Sequence, residues 1–213
     1  LSDFLRVGVL CSKRAPGLDG LLHHPFRRSS YEIDCVISSE TSFPDSGVPV
    51  ITHPIRSFYD HHRAPLRDLG TRELYDRFTV EMLRCFGVDV IVLLGYLYVV
   101  TDPLLKAFPG RVINVHDGLG TYPGLHATRD AIMAGENATW SIVHQVTAQL
   151  DAGPMIAKSD PFPVAPFATE ASATGEHDVV RAYAYAHREW MMRSCWGNLV
   201  VRALEQVAAL EVA

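Results

Sequence analysis

The sequence predicts an α/β fold, with a mostly parallel twisted sheet, flanking helices and a C-terminal helix. Short apolar runs at residues 5–11, 31–38 and 88–94 have the length of strands and alternate with helical patterns in the first half of the chain. Such alternation is typical of parallel strands joined by right-handed crossovers. A long amphipathic pattern over residues 178–210 predicts the C-terminal helix, as one helix or as two in sequence.

The chain begins with strand signals. Residues 5–11 and 31–38 are short, apolar and partly β-branched, as buried strands are. A short helix is expected between them over residues 18–24, and a third, short strand is expected over residues 48–52. Residues 53–68 are polar and contain prolines, so they are expected to form an irregular loop of a length that is often functional.

A helix is expected over residues 71–86, because apolar side chains recur there on one face. Gly87 is suited to end that helix in the left-handed conformation, and the strand at 88–94 follows at once. The next helix is expected over residues 102–108, with Asp102 as its N-cap and a proline at its first position.

The second half of the chain is predicted to add three more strands and a helix. A strand is expected over residues 111–115 and a helix over residues 127–135, where a glycine ends it. Two further strands are expected over residues 139–146 and 154–164, and the short connection between them suits antiparallel pairing. Residues 165–175 are rich in Pro, Ala and Thr and are expected to form a loop.

Composition and charge limit the classes of function. Of the 213 residues, 48% are hydrophobic and 20% are charged, the formal net charge is −5 and the pI is about 6.0. An ordinary globular protein is expected, and the lack of a basic excess argues against a nucleic-acid partner. The longest apolar run, residues 88–100, is shorter than the ~20 residues of a membrane span, so no membrane partner is expected.

The cysteines indicate a reducing compartment. Cys11, Cys35, Cys85 and Cys195 lie far apart, and none forms a Cys-x-x-Cys pair. Buried, reduced thiols in a cytoplasmic protein are therefore expected. The given sequence begins without a charged stretch followed by an apolar one, so no secretory signal is expected.

Asn114, His116 and Asp151 are the candidate catalytic residues. Asn114 and His116 lie two residues apart at a strand end, so their side chains are expected on one face, and Asp151 lies in a Leu-Asp-Ala-Gly-Pro turn. An amide, an imidazole and a carboxylate suit attack of an amine on a carbonyl through a tetrahedral oxyanion. Asn114 would donate to the oxyanion, His116 would handle a proton and Asp151 would fix the state of the imidazole. No Ser or Cys nucleophile accompanies them, so direct transfer is favoured over a covalent intermediate.

The residues alone leave other interpretations open. An asparagine at a strand end is often a turn former, and a single histidine is more often structural than catalytic. Ten histidines suggest a metal site, but His-x-His and His-Glu-x-x-His spacings do not occur, so no metal is expected. The loop after the first strand lacks the Gly-x-Gly-x-x-Gly fingerprint of dinucleotide-binding proteins. Lys13 and Arg14 in that loop are unspecific candidates for binding a phosphate.

Four segments together resemble the folate-dependent formyltransferases, with the glycinamide ribonucleotide branch nearest. They are Asn114-Val115-His116, the Tyr-Pro-Gly-Leu-His loop 122–126, the Ser-x-x-His strand 141–144 and the Asp-Ala-Gly-Pro turn 151–154. The resemblance covers residues 88–164 in order and spacing, and the strand plan agrees from Leu5. It implies a Rossmann-like formyltransferase fold. It also implies that residues 1–213 form a single domain, with a Rossmann-like half at 1–110 and a catalytic, folate-binding half at 111–213.

The activity that the resemblance implies is transfer of a formyl group from 10-formyltetrahydrofolate, a co-substrate, to an amine. By the match, the catalytic residues are Asn114, His116 and Asp151. The supporting residues by the same match are His144, Ser141 and His126. The residues expected to bind the folate are Leu97, Tyr98, Val99, Val100, Val146, Thr147 and Leu150.

The match is weaker on the acceptor side. In the family, the loop after the first strand is rich in Gly, Ser and Asn and binds a ribonucleotide phosphate, whereas here it carries Lys13, Arg14 and a proline. The family's Pro-Ser after the catalytic histidine is replaced by Asp117 and Gly118. These four residues are the candidates for binding the acceptor. Asp117 either binds a cationic or polar group of the acceptor or only caps a turn.

Formyl transfer to a small amine is therefore the expected function, with an acceptor that is not standard glycinamide ribonucleotide or that contacts the protein differently. The alternatives are an authentic phosphoribosylglycinamide formyltransferase, a 10-formyltetrahydrofolate hydrolase and a folate-binding module without catalysis. The C-terminal helix either packs on the core or offers a dimer face, so a monomer or a homodimer is expected.

Overall fold

The computed structural model describes residues 4–43 and 46–209. Its strands are β1 (Leu5–Cys11), β2 (Tyr31–Ser38), β3 (Val50–Thr52), β4 (Val90–Leu93), β5 (Val112–His116), β6 (Ala138–Thr139), β7 (Ile142–Gln145), β8 (Met155–Lys158) and β9 (Phe162–Pro163). Its helices are α1 (Leu18–Leu22), α2 (Ile55–His61), α3 (Leu69–Cys85), α4 (Asp102–Ala107), α5 (Ala127–Met133), α6 (Pro166–Ala173) and α7 (His177–Ala209).

A seven-stranded sheet in the order β3-β2-β1-β4-β5-β7-β8 is the centre of the fold. The first five of these strands pair in parallel, and β7 and β8 pair antiparallel at one edge. This arrangement confirms the predicted α/β class with a mostly parallel sheet. Because β4 pairs with β5, the sheet continues across residue 110, where the two halves of the single predicted domain meet.

Two apolar layers cover the sheet because side chains alternate along its strands. On one face, Val7, Val9 and their neighbours pack against α1 and α7. On the other face, Leu10 and its neighbours pack against α3 and α4, with Leu83 and Leu104 fully buried. The carboxyl ends of β4 and β5 are left open between these layers, which is where ligands bind in open α/β sheets.

The C-terminal pattern forms one continuous helix, α7, of 33 residues. Its apolar stripe packs into the main core through residues such as Met192, Trp196 and Leu199, which agrees with the core-packing interpretation. Trp190 is 47% exposed and meets the edge of Phe162. No helix in the described part of the chain combines the length and the apolar character needed to cross a membrane.

Two predicted loops contain helices. The segment 53–68 was expected to be irregular, but α2 lies within it and buries Ile55 and Tyr59 against Tyr75. The segment 165–175 contains α6, whose Pro166 lies in the first turn, a position where proline favours a helix. In both segments a proline lies at the start of the helix. Because proline is also typical of loops, the sequence pattern predicted a loop where a short helix forms.

The strands and helix starts of the second half also differ from the sequence prediction. The expected strands 139–146 and 154–164 are each broken, because β6 and β9 leave the main sheet and pair with each other. Thr101 rather than Asp102 is the N-cap of α4. Of the four cysteines, which are all free, Cys11 and Cys35 are buried as expected, whereas Cys85 is exposed.

Candidate active site

Asn114 and His116 end β5 and line a cavity of about 240 Å³ at the carboxyl edge of the sheet. Their alternation on the strand places both side chains on the same face, as the two-residue spacing predicts. Asp151 and His144 line the same cavity. The structure therefore brings the three candidate catalytic residues and one supporting histidine together, although Asp151 is 35 or more residues away from the other two along the chain.

Asp151 is held by a tight turn between β7 and β8. Its backbone is left-handed, with φ of 49°, a conformation that aspartate tolerates better than most residues. Its Oδ2 accepts a hydrogen bond of 2.8 Å from the amide of Gly124. A Cβ at Gly153 would lie 1.7 Å from the carbonyl oxygen of Gln145, so only glycine lets the turn close onto β7. Ala152 has no positive φ, so it fits the turn without strain.

His144 orients the amide of Asn114. The Nδ1 of His144 lies 2.9 Å from the carbonyl oxygen of Gln145, so Nδ1 carries the proton and donates it. The Nε2 atom then has a free lone pair and accepts a hydrogen bond of 3.1 Å from Nδ2 of Asn114. Burial lowers the pKa of His144, which favours this neutral tautomer.

His116 is fixed on one side of its ring. Its Nε2 donates to the carbonyl oxygen of Tyr122 over 3.0 Å, which leaves Nδ1 facing Oδ2 of Asp151 at 3.9 Å. The other carboxylate oxygen of Asp151 lies 3.7 Å from Nε2 of His144. Both distances exceed a hydrogen bond, and Nδ1 of His116 can donate to the carboxylate only when the ring carries a second proton.

The residues expected to bind the folate form a wall of the same cavity. Two segments supply them, the loop that follows β4 and the loop between β7 and β8. All seven line the cavity, namely Leu97, Tyr98, Val99, Val100, Val146, Thr147 and Leu150. Leu97, Val99 and Leu150 are each about half exposed, which leaves apolar surface available to a flat ring.

A buried ion pair on α3 holds the loop after β4 in place. Arg72 donates from Nη2 to the hydroxyl of Tyr96 near the start of this loop. Asp76, which is fully buried, accepts hydrogen bonds of 2.7 Å from both the amide and the hydroxyl of Thr101 at the end of the loop. The two side chains also pair with each other at 3.0 Å. The sequence prediction missed this support, because Arg72 and Asp76 look like an ordinary i,i+4 surface pair.

The loop after β1 does not reach the cavity. Lys13 is exposed, and Arg14 forms a two-pronged ion pair with Glu189 of α7. The amide of Ser12 donates to the carbonyl oxygen of Gly95. Neither of the two basic residues expected to bind the acceptor lines the cavity, and their role stays a prediction.

Asp117 lines the cavity and is paired within the protein. Its Oδ2 accepts hydrogen bonds from Nε of Arg188 on α7 and, over 3.2 Å, from the hydroxyl of Thr128. Gly118 is buried beside it, where a Cβ would lie 2.5 Å from that of Ala127. The carboxylate of Asp117 thus does more than cap a turn, and it has a cationic partner before any acceptor arrives.

The other two supporting residues differ in their placement. Ser141 is buried and accepts a hydrogen bond of 3.0 Å from the indole of Trp196, which lines the cavity. His126 is exposed before α5 and does not line the cavity, and its role as a supporting residue stays a prediction. Arg188 and Trp196 are cavity residues that the sequence prediction missed, because α7 reads only as an amphipathic helix.

A family model described as formyl transferase matches residues 5–182, which is most of the chain. The chain belongs to the formyl transferase family. This result confirms the resemblance that the four motifs carry, and a seven-stranded sheet with flanking helices is also found in the solved formyltransferases. For example, glycinamide ribonucleotide transformylase 1 from Symbiobacterium toebii matches with a TM-score of 0.66 and 28% identity over 88% of each chain.

Curated relatives of this chain include proteins named formyltransferase and one named deformylase. The phosphoribosylglycinamide formyltransferase of Escherichia coli K12 is 37% identical over 87 residues, or 40% of this chain and 41% of that protein. A mitochondrial formyltetrahydrofolate deformylase 2 of Arabidopsis thaliana is 30% identical over 154 residues, or 71% of this chain and 44% of that protein. The match thus spans about two fifths of the length of each of these relatives.

The cavity combines apolar and polar lining. Apolar side chains such as Leu97, Val99 and Leu150 lie in the loops expected to bind the folate, and the polar side chains include the candidate trio, His144, Asp117 and Arg188. Within residues 4–43 and 46–209, no group of three or more His, Cys, Asp or Glu side chains is placed to hold a metal ion.

Proposed function

We propose that this protein transfers a formyl group from 10-formyltetrahydrofolate to the amine of a small-molecule acceptor by direct attack, through a tetrahedral intermediate. The observation that carries the proposal is the meeting of Asn114, His116 and Asp151 at a cavity that the expected folate-binding residues also line. The folate would supply the formyl carbon. The family membership of the chain supports the same reaction class.

Each catalytic residue has one task in this reaction. One N–H of the Asn114 amide donates to Nε2 of His144. The second N–H can donate to the formyl oxygen, where negative charge develops. His116 takes the proton that the acceptor ammonium loses, and Asp151 stabilises the resulting imidazolium. The acceptor nitrogen forms a bond to the formyl carbon, the bond from that carbon to the folate nitrogen breaks, and one proton passes from the acceptor nitrogen to the folate nitrogen.

The acceptor that we propose is not standard glycinamide ribonucleotide, or contacts the protein differently. In support, the guanidinium of Arg14 is ion-paired with Glu189 and the amide of Ser12 donates to the carbonyl oxygen of Gly95, so these two groups of the loop after β1 are already engaged. Glycinamide ribonucleotide is the second candidate, because several relatives carry the name phosphoribosylglycinamide formyltransferase.

Hydrolysis of 10-formyltetrahydrofolate is a third candidate, favoured by the relative named a deformylase. The same trio would serve it, with water in place of the amine. A folate-binding module without catalysis is disfavoured by the complete trio in one cavity.

Replacing the trio tests the proposal. We expect His116→Ala and Asp151→Asn to lower the rate of tetrahydrofolate formation at least about a hundredfold in the presence of an amine, because each removes the route of a proton. His23→Ala, at an exposed histidine directly after α1 and outside the cavity lining, is the matched control and should leave the rate unchanged. Thermal unfolding of all three variants should stay close to that of the wild type.

The assay also separates the alternatives. Equal rates of tetrahydrofolate and formate release with and without amine would show a hydrolase. Formylation of glycinamide ribonucleotide at the efficiency of ordinary metabolic enzymes would overturn the acceptor that we prefer. Full activity of the His116→Ala protein would contradict the assignment of the trio.

A further inference from the structure

We propose that Arg188 recognises an anionic group, a carboxylate or a phosphate, on the acceptor amine. This inference rests on the proposed function, because it names the class of acceptor that the same cavity takes. Arg188 comes from the middle of α7 and lines the cavity together with Asn114, His116 and Asp117. Among the described residues that line the cavity, no other arginine or lysine is present.

Asp117 holds the guanidinium of Arg188 in a defined position. The Nε atom donates to Oδ2 of Asp117, whose side chain is only 5% exposed. Thr128 in turn fixes Asp117, because its one hydroxyl proton is shared between the backbone carbonyl oxygen of Asp117 at 2.8 Å and the same carboxylate oxygen at 3.2 Å. The buried carboxylate thus removes most of the rotational freedom that an unbound arginine would lose on binding a ligand.

The terminal nitrogens of Arg188 are available to a ligand. Within the described residues, Nη1 and Nη2 of Arg188 have no hydrogen-bond partner. Neither nitrogen is fully buried. The side chain of Arg188 is 26% exposed, so these nitrogens meet solvent in the cavity. A guanidinium with both terminal N–H groups free and its Nε bound is shaped for two-pronged contact with a carboxylate or a phosphate.

The neighbouring carboxylates do not occupy the terminal nitrogens of Arg188. Glu189, the next residue on α7, is bound by Arg14, so it does not compete for the guanidinium of Arg188. Asp151 faces His116 and His144 instead. An acceptor with its amine at Asn114 and His116 would therefore place an anionic group at Arg188, on the side of the trio that α7 covers.

Matched pairs of amines test this inference. O-phosphoethanolamine is compared with ethanolamine, and glycine with glycinamide, in the formyl-transfer assay. We expect kcat/KM to be higher for the anionic member of at least one pair, and Arg188→Met to lower the ratio of the anionic to the neutral kcat/KM roughly ten- to hundredfold. The pair that responds distinguishes a phosphate from a carboxylate. Arg181→Met, at an exposed and ion-paired arginine on the same helix, is the matched control.

A second variant guards against a folding defect. Arg188→Met leaves the carboxylate of Asp117 buried and unpaired, so the combination Arg188→Met with Asp117→Asn is made as well, and both proteins are checked for thermal unfolding. Loss of the anionic preference in both variants supports the inference. An anionic preference that survives in both, or that is missing in the wild type, overturns it.

A binding measurement tests whether Arg188 binds an anion, and it does so even if no formyl transfer is observed. Inorganic phosphate and acetate are titrated into the wild-type protein and the Arg188→Met protein, with the heat of binding as the readout. The inference expects at least one anion to bind the wild type and not the variant, and equal behaviour of the two proteins overturns it. If no amine in the panel is formylated but an anion binds through Arg188, the proposed function fails and the anion site remains.

Discussion

At the scale of single residues, His144 orients a member of the proposed catalytic trio through hydrogen bonds. Its proton is held on Nδ1 by a backbone carbonyl oxygen, so Nε2 can only accept, and the Asn114 amide must turn its nitrogen toward it. The carboxamide of Asn114 is thereby kept in one of its two orientations. A positioning residue of this kind affects the rate of the chemical step more than substrate binding.

Two substitutions of His144 separate positioning from packing. His144→Leu removes the acceptor, so we expect kcat to fall roughly ten- to hundredfold with little change in KM for the folate. His144→Gln restores an acceptor oxygen near the position of Nε2 and should recover part of kcat. Steady-state kinetics of both variants provide the check. An equal loss in the two proteins, or a loss that follows their stability, would indicate a purely structural role.

The loop after β4 depends, at the scale of elements, on α3. Arg72 contacts the start of this loop and Asp76 contacts its end, so the helix fixes the wall on which the folate is expected to lie. Both side chains are almost fully buried. Buried ion pairs of this type contribute little net stability, but removal of one partner is costly because the other charge stays buried.

Asp76→Asn tests the coupling between helix and loop. We expect the free energy of unfolding to fall by roughly 3–5 kcal/mol, because Arg72 is left as an unpaired buried charge. We also expect weaker binding of 10-formyltetrahydrofolate, since Thr101 loses a charged acceptor. Urea unfolding and a folate titration measure the two effects. Glu81→Gln, at an exposed ion pair on the same helix, should change stability by less than about 1 kcal/mol and leave folate binding intact.

Acid should destabilise the whole molecule through its buried histidines. Burial lowers the pKa of His53 to about 4 and lowers the pKa values of His144 and His187 as well. Unfolding restores a pKa of about 6.5, so the unfolded chain binds more protons below that pH. The stabilising effect is complete above pH 6.5 and is lost as the pH falls toward the folded pKa values. We therefore expect the free energy of unfolding to decrease between pH 7 and pH 5.

His53→Phe isolates one of these contributions. The ring of His53 stacks on Tyr75 with centroids 4.0 Å apart, and its Nε2 has no hydrogen-bond partner, so phenylalanine can take its place. Urea unfolding at several pH values should show a smaller slope in this variant, by up to about 1.4 kcal/mol per pH unit. The exposed His23, changed to Phe, should keep the slope of the wild type. An unchanged slope in His53→Phe would contradict the prediction.

The sequence was sufficient to predict those parts of the whole molecule that depend on local patterns. The parallel sheet is predicted by apolar runs of strand length. The shared face of Asn114 and His116 is predicted by their two-residue spacing on a strand. Arg188 and the Arg72–Asp76 pair could not be predicted, because their partners lie far along the chain and only tertiary packing brings them together. The position of Lys13 and Arg14 after the first strand predicts that they bind the acceptor. In the structure Arg14 forms an ion pair with Glu189, a residue of α7 that lies far along the chain.

The single long helix α7 has a consequence for the order in which the protein is made on the ribosome. Asn114, His116 and Asp151 emerge well before residues 177–209, which bring Arg188 and cover one face of the sheet. At about 5–20 residues per second, the sheet face waits several seconds without its cover. A nascent chain in that interval holds the candidate catalytic residues next to an open apolar surface, which makes it prone to aggregation until α7 is made.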